Sequence, residues 1–166
     1  MKRDPLRLKA VAALPNQSLR LAFEDGFEAH VKLDAWIADT QALRALADPN
    51  LFAQARVGEW GRSVEWITDE LDLGADNLRN LAIEQAGGIG HERLWIWMHD
   101  GQLTQQQAAD AVGISRRMLN YYLSGAKPIP KTVWLACKGW EAEQKAARRK
   151  PRHRRSQAVQ PLAAHA

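Results

Sequence analysis

Of the 166 residues only one is cysteine, Cys137. An internal disulfide and a cysteine-based zinc cluster are therefore excluded, and a reducing, cytoplasmic setting is expected. No apolar run approaches membrane-spanning length. The longest tempting piece is LWIWM, residues 94–98, so the chain reads as soluble, with no membrane partner. In the opening stretch MKRDPLRLKAVAALP, Arg7 and Lys9 interrupt the apolar residues and leave no adequate core for a signal peptide. A phosphate-binding glycine loop is missing as well, because Gly87-Gly88-Ile89-Gly90 lacks the lysine and the spacing of one. His30, His91, His99, His153 and His165 show no metal-ligand spacing. His99, beside Asp100, reads as a residue ending a helix and facing its dipole. No metal and no cofactor is expected, and no internal repeat is evident.

What is there is an uneven charge. Residues 1–86 carry 10 Lys+Arg against 14 Asp+Glu, whereas residues 87–166 carry 13 against 5. Such a split is what a polyanion-binding module joined to a differently employed module shows. A basic tail supplies much of it, since residues 145–155 hold seven Lys+Arg and no acid. That tail either adds nonspecific phosphate contacts or is a solvated extension.

In the first half, residues 6–14 and 18–23 alternate in polarity, and residues 27–33 follow the turn Glu24-Asp25-Gly26. This predicts strand, strand, tight turn, strand. Asp34 is placed to cap a helix carrying Trp36, Ile37, Leu43 and Leu46, with Asp48-Pro49-Asn50 ending it. Strands over 53–57 and 63–67 flank Gly58-Glu59-Trp60-Gly61, which has the glycines of a hairpin loop. Asp76 is read as the cap of an amphipathic helix over 77–85 that Gly87-Gly88 ends. The expected organisation is an α+β domain over 1–86, a small antiparallel sheet with helices. A linker over 87–90 leads to an all-α helix-turn-helix domain of four to five helices over 91–145. A disordered basic tail, Ala/Gln-rich at its end, covers 146–166.

Chemistry is sparse. Glu65, Asp69, Glu70 and Asp72 cluster in sequence and could be metal ligands or an acid/base pair, but a strand edge and a solvated loop account for them better. Cys137 sits in an apolar helical pattern and reads as a buried thiol rather than a nucleophile. Trp95, Trp97, Trp134 and Trp140 could stack on bases, yet tryptophan at helical spacing is usually core or interface. Leu94, Trp97 and Met98 share one face of their helix, and Trp95 lies off it.

The densest signal is QQQAADAVGISRRMLNYYLSGAKPIP, residues 105–130. Two short helices that cross steeply need a very small residue at the contact and an unstrained bend at the joint. Ala108 and Ala109 provide the first and Gly113 the second. Thr104 with Gln107 forms a capping box, and Ser115 caps the second helix. Ile114, Leu119, Tyr122 and Leu123 point inward, while Arg116, Arg117, Asn120 and Tyr121 fall opposite. Gly125 stands where a helix ends in a left-handed conformation, and Pro128 and Pro130 forbid continuation, so a new helix can start at Pro130. The competing reading is an ordinary helical hairpin with a solvated cationic face.

Gln105, Ala109, Gly113, Ile114, Ser115, Leu119, Tyr122 and Gly125 resemble the lambda-repressor-like (Cro/repressor) helix-turn-helix family, Q-x-x-x-A-x-x-x-G-[IV]-S-x-x-x-[ILV] followed by an aromatic or aliphatic residue and a glycine. Leu123 departs from it, standing where the family often has Glu. The resemblance implies double-stranded DNA as partner and a homodimer on an inverted repeat. If DNA is the ligand, a helix of this size fits the major groove with its N-terminal residues nearest the bases. Arg116 and Arg117 are then the base readers, Asn120 reads adenine or bonds a phosphate, and Ser115 and Tyr121 belong to the same helix. Gln105 and Gln106 open the first motif helix, where amides and dipole favour a phosphate. Lys127 and Lys131 are candidates for the backbone.

Phe23, Asp25, Gly26, Trp66, Leu71, Asp72 and Leu73 resemble a second family, small bacterial domains of unknown function with F-x-D-G and a closing W-x-x-x-x-L-D-L. Its members occur alone, fused to a helix-turn-helix, or beside toxin-like partners. That resemblance implies a bacterial origin and a regulatory or protein-binding role, and it supplies no catalytic residue. The expected function is a sequence-specific transcriptional regulator and not an enzyme, with a protein partner for the first half. The first alternative is an antitoxin-like protein whose acidic half neutralises a basic partner and whose helix-turn-helix autoregulates its operon. The second is an enzyme using Glu65, Asp69 and Asp72.

Overall fold

The computed structural model describes residues 4–67 and 70–149. Strand β1 (Leu8–Leu14), β2 (Ser18–Phe23) and β3 (Glu28–Lys32) form an antiparallel meander in the order β1-β2-β3. Its register places Val11 opposite Leu21 and Leu19 opposite Val31. Period-2 patterning decides the buried face, so Leu19, Leu21 and Phe23 of β2 and Val31 of β3 all turn into the core. A second antiparallel sheet follows, made of β4 (Arg56–Val57), β5 (Ser63–Glu65) and β6 (Asp72–Gly74). Helix α3 (Ala75–Gln85) packs on β3 and closes the core with Ala75, Leu78 and Ala82. Trp66 is fully enclosed and donates its indole N–H to the Phe52 carbonyl at 3.0 Å.

The second half is helical: α4 (His91–Asp100), α5 (Gln105–Val112), α6 (Arg116–Leu123) and α7 (Lys131–Arg149) surround a separate apolar cluster. Leu94, Trp97, Met98, Ala108, Ala109, Leu119 and Cys137 are its buried members. Trp97 meets Trp140 edge to face, with ring centroids 5.6 Å apart. The architecture is thus an α+β part followed by a helical part. Among the described residues no helix is long and apolar enough to cross a membrane.

Several expectations change. The helix foreseen from Asp34 is broken into α1 (Asp34–Asp39), a 3-10 stretch Gln41–Ala47, and α2 (Pro49–Phe52). Thr40, with φ −111° and ψ 115°, is extended and divides them. Asp48-Pro49-Asn50 starts a turn rather than ending one: the Asp48 carboxylate accepts from the Asn50 amide, and proline costs nothing at a first helical position. Neither Asp34 nor Asp76 caps its helix, for each lies inside the first turn, after Leu33 and Gly74 respectively. The cap positions fall on Leu33 and Gly74, so Asp34 comes one position and Asp76 two positions too late to cap. Strands over 53–57 and 63–67 shrink to β4 and β5, and the W-x-x-x-x-L-D-L stretch contributes the unforeseen β6. Finally, α7 runs to Arg149, so residues 146–149 are helical and only the remainder of the expected disordered tail lies outside the described residues.

Replacing Trp66 by Phe leaves the Phe52 carbonyl buried without its donor and opens space beside it. We expect a loss of about 1–3 kcal/mol of unfolding free energy, read as a lower urea midpoint with an unchanged slope.

Candidate functional site

The residues between α5 and α6 behave as their chemistry dictates. Thr104 Oγ1 accepts from the Gln107 amide at 3.2 Å, and the Gln107 side chain accepts from the Thr104 amide at 2.9 Å, completing the capping box. Ala108 and Ala109 are buried, which lets α5 approach α6. Gly113 has φ +75°, a left-handed turn where any Cβ is strained, and α6 begins three residues later. Ser115 Oγ accepts from the Met118 amide at 3.1 Å. Leu119, Tyr122 and Leu123 are buried and Ile114 half-buried; Arg116, Arg117 and Asn120 are exposed.

The outward face is organised around Tyr121, which is half-buried. Arg117 Nε donates to the Tyr121 hydroxyl at 3.1 Å, and its guanidinium lies 5.7 Å from the ring centroid. Lys127 Nζ lies 5.0 Å from the same ring. Two cations therefore lie against one aromatic ring, which attracts both without neutralising either. Among the described residues, no ion pair engages Arg116, Arg117, Lys127 or Lys131. Lys131 opens α7 and is exposed. Gln105 and Gln106 open α5, and Gln106 donates to Asp110 one turn on, at 3.0 Å. No hydrogen bond or ion pair among the described residues ties Gln105, Gln106 or Lys131 to the Arg117–Tyr121–Lys127 group.

The C-terminal end of α6 is held by residues the sequence reading missed. Trp95 Nε1 donates to the Leu123 carbonyl at 3.1 Å, which explains why this tryptophan lies off the apolar stripe of α4 and stays 47% exposed. Arg79, only 5% exposed, comes from α3. Its Nη2 donates to the Gly125 carbonyl at 3.3 Å, and Nη1 donates to the Pro5 carbonyl at 2.6 Å. Asp25 accepts from both terminal nitrogens, at 3.1 and 2.8 Å, and the Phe23 and Phe27 rings lie 5.0 and 4.3 Å from the guanidinium carbon. The F-x-D-G stretch is thus the cradle for Arg79. A signal existed: Arg79 falls on the buried stripe of α3 with Ala75, Leu78 and Ala82, and an arginine on such a stripe demands a carboxylate partner.

Burial opposes ionisation of Asp25, yet Arg79 and the Phe27 amide hold its pKa below 3.8. Glu84 behaves alike: burial is outweighed by Arg93 and the Gly90 amide, and its pKa lies below 4.5. Residues 87–90 are strapped on both sides, because Glu84 also accepts from the Gly90 amide at 2.8 Å and Asn80 accepts from the Glu92 amide at 3.1 Å. Burial depresses the pKa of His91, with Arg79 adding to that and Asp76 opposing it. Burial pushes the Cys137 thiol up to about 11, as suits an inert core thiol.

Elsewhere, Glu65 pairs with Arg56 at 3.7 Å and accepts from Ser63, and Asp72 belongs to β6, whereas Asp69 lies outside the described residues. Among the described residues no group of three His, Cys, Asp or Glu is arranged to hold a metal ion.

Fold and site together define a class: a sheet-bearing part that anchors, by buried polar contacts, a helical part displaying a cationic helix. The chain matches no protein-family model and no curated protein. It is similar to a solved crystal structure, that of the "Putative DNA Binding Protein NE0471" from Nitrosomonas europaea, at 41% identity, with a TM-score of 0.78 and coverage of 88% of this chain and 93% of that one. The chain belongs to the family of that protein.

The histidine gives a pH test. Its folded pKa lies below the ordinary 6.5, so the unfolded chain binds the extra proton first. This stability is fully present above pH 6.5 and is lost as pH falls through the lower folded value. Urea unfolding between about pH 7.5 and 5.5 should show declining stability, with a shallower decline in His91→Gln.

Proposed function

We propose that the protein is a cytoplasmic, sequence-specific DNA-binding transcription regulator of the lambda-repressor-like helix-turn-helix kind. Residues 1–86 form its anchoring domain and residues 91–149 its reader, with 87–90 between them. The observation that carries this reading is the outward face of α6, where Arg116, Arg117 and Asn120 are exposed and the arginines have no carboxylate partner among the described residues. The family relationship supports DNA as the ligand, since the related protein's name describes DNA binding. Nothing in that relationship favours the antitoxin-like alternative.

In the proposed complex, residues 115–124 enter the major groove with the α6 N-terminus foremost. Arg116 and Arg117 reach base edges, and a bidentate contact to guanine discriminates by about 1–3 kcal/mol. To make it, Arg117 exchanges its Tyr121 hydroxyl bond for the base, a small change because donor and ring remain adjacent. Asn120, one turn on, reads adenine or bonds a phosphate. Ser115 and Tyr121 border the backbone, and Lys127 and Lys131 contact phosphates on one side. The α5 N-terminus, with Gln105 and Gln106, offers free amides and a positive dipole end to another phosphate. A homodimer would place two α6 helices about 34–36 Å apart on an inverted repeat.

The test is selection of bound fragments from genomic DNA at near-physiological salt, with Arg117→Ala and Lys127→Ala in parallel. Arg117→Ala should relax or abolish the sequence preference. Lys127→Ala should weaken all sequences alike and reduce the salt slope by about 0.9 log unit. Equal preference in both variants would contradict the assignment.

A further inference from the structure

A cavity of about 300 Å³ lies where the two parts of the chain meet, against the C-terminal end of α6. Its volume is at the low end of the about 300–1,000 Å³ typical of ligand sites, so it suits a small molecule. Ile83 of α3, Ile89, and Tyr122 and Ile129 of the helical part give it an almost wholly apolar wall. Among the described residues its ionisable side chains are Arg79, His91 and Lys127, together with Tyr122, and no carboxylate lines it.

Two buried polar atoms there have no hydrogen-bond partner among the described residues: Arg79 Nε and His91 Nδ1. Both belong to side chains at least nine-tenths buried, at 5% and 6% exposed. Both lie beside Gly125: a Cβ there would meet Leu6 Cδ2 at 3.4 Å, His91 Nδ1 at 3.5 Å and Arg79 Nε at 3.7 Å. Unsatisfied buried donors cost a folded chain free energy and are rare without a reason. Here the two occur together, beside the same glycine, in side chains that border an apolar cavity.

We propose that this cavity is a binding site for a small monocarboxylate with an aliphatic or aromatic body. The carboxylate accepts from Arg79 Nε and from His91 Nδ1 beside Gly125, and the body rests on Ile83, Ile89 and Ile129. A hydrogen bond from His91 to the carboxylate requires the proton on Nδ1, which the neutral ring supplies as one tautomer. Arg79 keeps its bonds to Asp25, Pro5 and Gly125 through the terminal nitrogens, so the ligand takes up the one donor that these three leave over. Because Arg79 also holds the Gly125 carbonyl and Lys127 borders the cavity, occupancy acts on the end of α6. That regulatory consequence rests on the DNA-binding reading; the site itself does not.

The full chain, labelled with nitrogen-15, is titrated with hexanoate and benzoate, and with hexanamide as the uncharged comparison. The expected result is a saturable shift of the Arg79 Nε–H signal by the carboxylates, with a Kd of about 1 mM or tighter, and a response at least about tenfold weaker to the amide. Ile83→Trp, which fills the cavity from its half-buried wall, should abolish the shift while retaining a cooperative melt; His91→Phe should weaken it without filling the space. No saturable shift, or an equal shift in Ile83→Trp, overturns the site. Fluorescence anisotropy with labelled genomic DNA then reads the coupling. A change of DNA affinity with hexanoate in the wild type and none in Ile83→Trp supports it, and an unchanged affinity in the wild type overturns the coupling while leaving the site to the first readout.

Discussion

The buried guanidinium of Arg79 is the constraint on which the relation between the two parts depends. A charge 95% removed from solvent is tolerated only with a paired carboxylate and its donors satisfied, and Asp25, the Pro5 carbonyl and the Gly125 carbonyl meet four of its five N–H groups. Three of these contacts fix the β2–β3 turn and the chain entering β1, and the fourth crosses to the helical part. Removal of the guanidinium would leave Asp25 without its partner and the end of α6 without one of its two side-chain anchors. The Arg93–Glu84 pair and the Asn80 contact to the Glu92 amide lie along the same seam and turn residues 87–90 into a fixed joint.

This anchoring bears on function through the direction α6 faces. Its last carbonyl, Leu123, which helix geometry leaves without a partner, accepts from Trp95, and the Gly125 carbonyl just beyond the helix accepts from Arg79. A cation at a helix C-terminus is also favoured by the dipole. With that end fixed, the N-terminal turn carrying Arg116 and Arg117 is the end presented outward. Tyr121 then keeps Arg117 and Lys127 together as a preformed cationic patch, which lessens the side-chain ordering needed on contact with a polyanion.

Much of the helical part was legible because its signals are local. A capping box, a left-handed glycine and a proline stop each act within a few residues, and Thr104, Gly113, Ser115 and Gly125 do what short-range chemistry requires. The first meander was legible for a similar reason, since period-2 burial in β2 needs no distant partner. The failures came where tertiary context outweighed local preference. Thr40 breaks a periodic helix because the backbone there is extended, and Asp48-Pro49-Asn50 carries the same residues for a stop as for a start. Arg79 eluded the reading of function because its partners, Asp25 and Gly125, are 54 and 46 residues away. The F-x-D-G pattern was visible as a resemblance, but its physical purpose became visible only when Asp25 met Arg79.

The sheet-bearing part holds the end of α6 in place through Arg79. Amide hydrogen exchange of Arg79→Met against the wild type tests it most directly, with the α4 amides as an internal reference. The Gly125 and Lys127 amides, which donate to the Tyr122 and Tyr121 carbonyls, should exchange faster in the variant by more than the α4 amides do, although the substitution lies in α3. Acceleration confined to residues 4–85, or equal throughout the helical part, would contradict it.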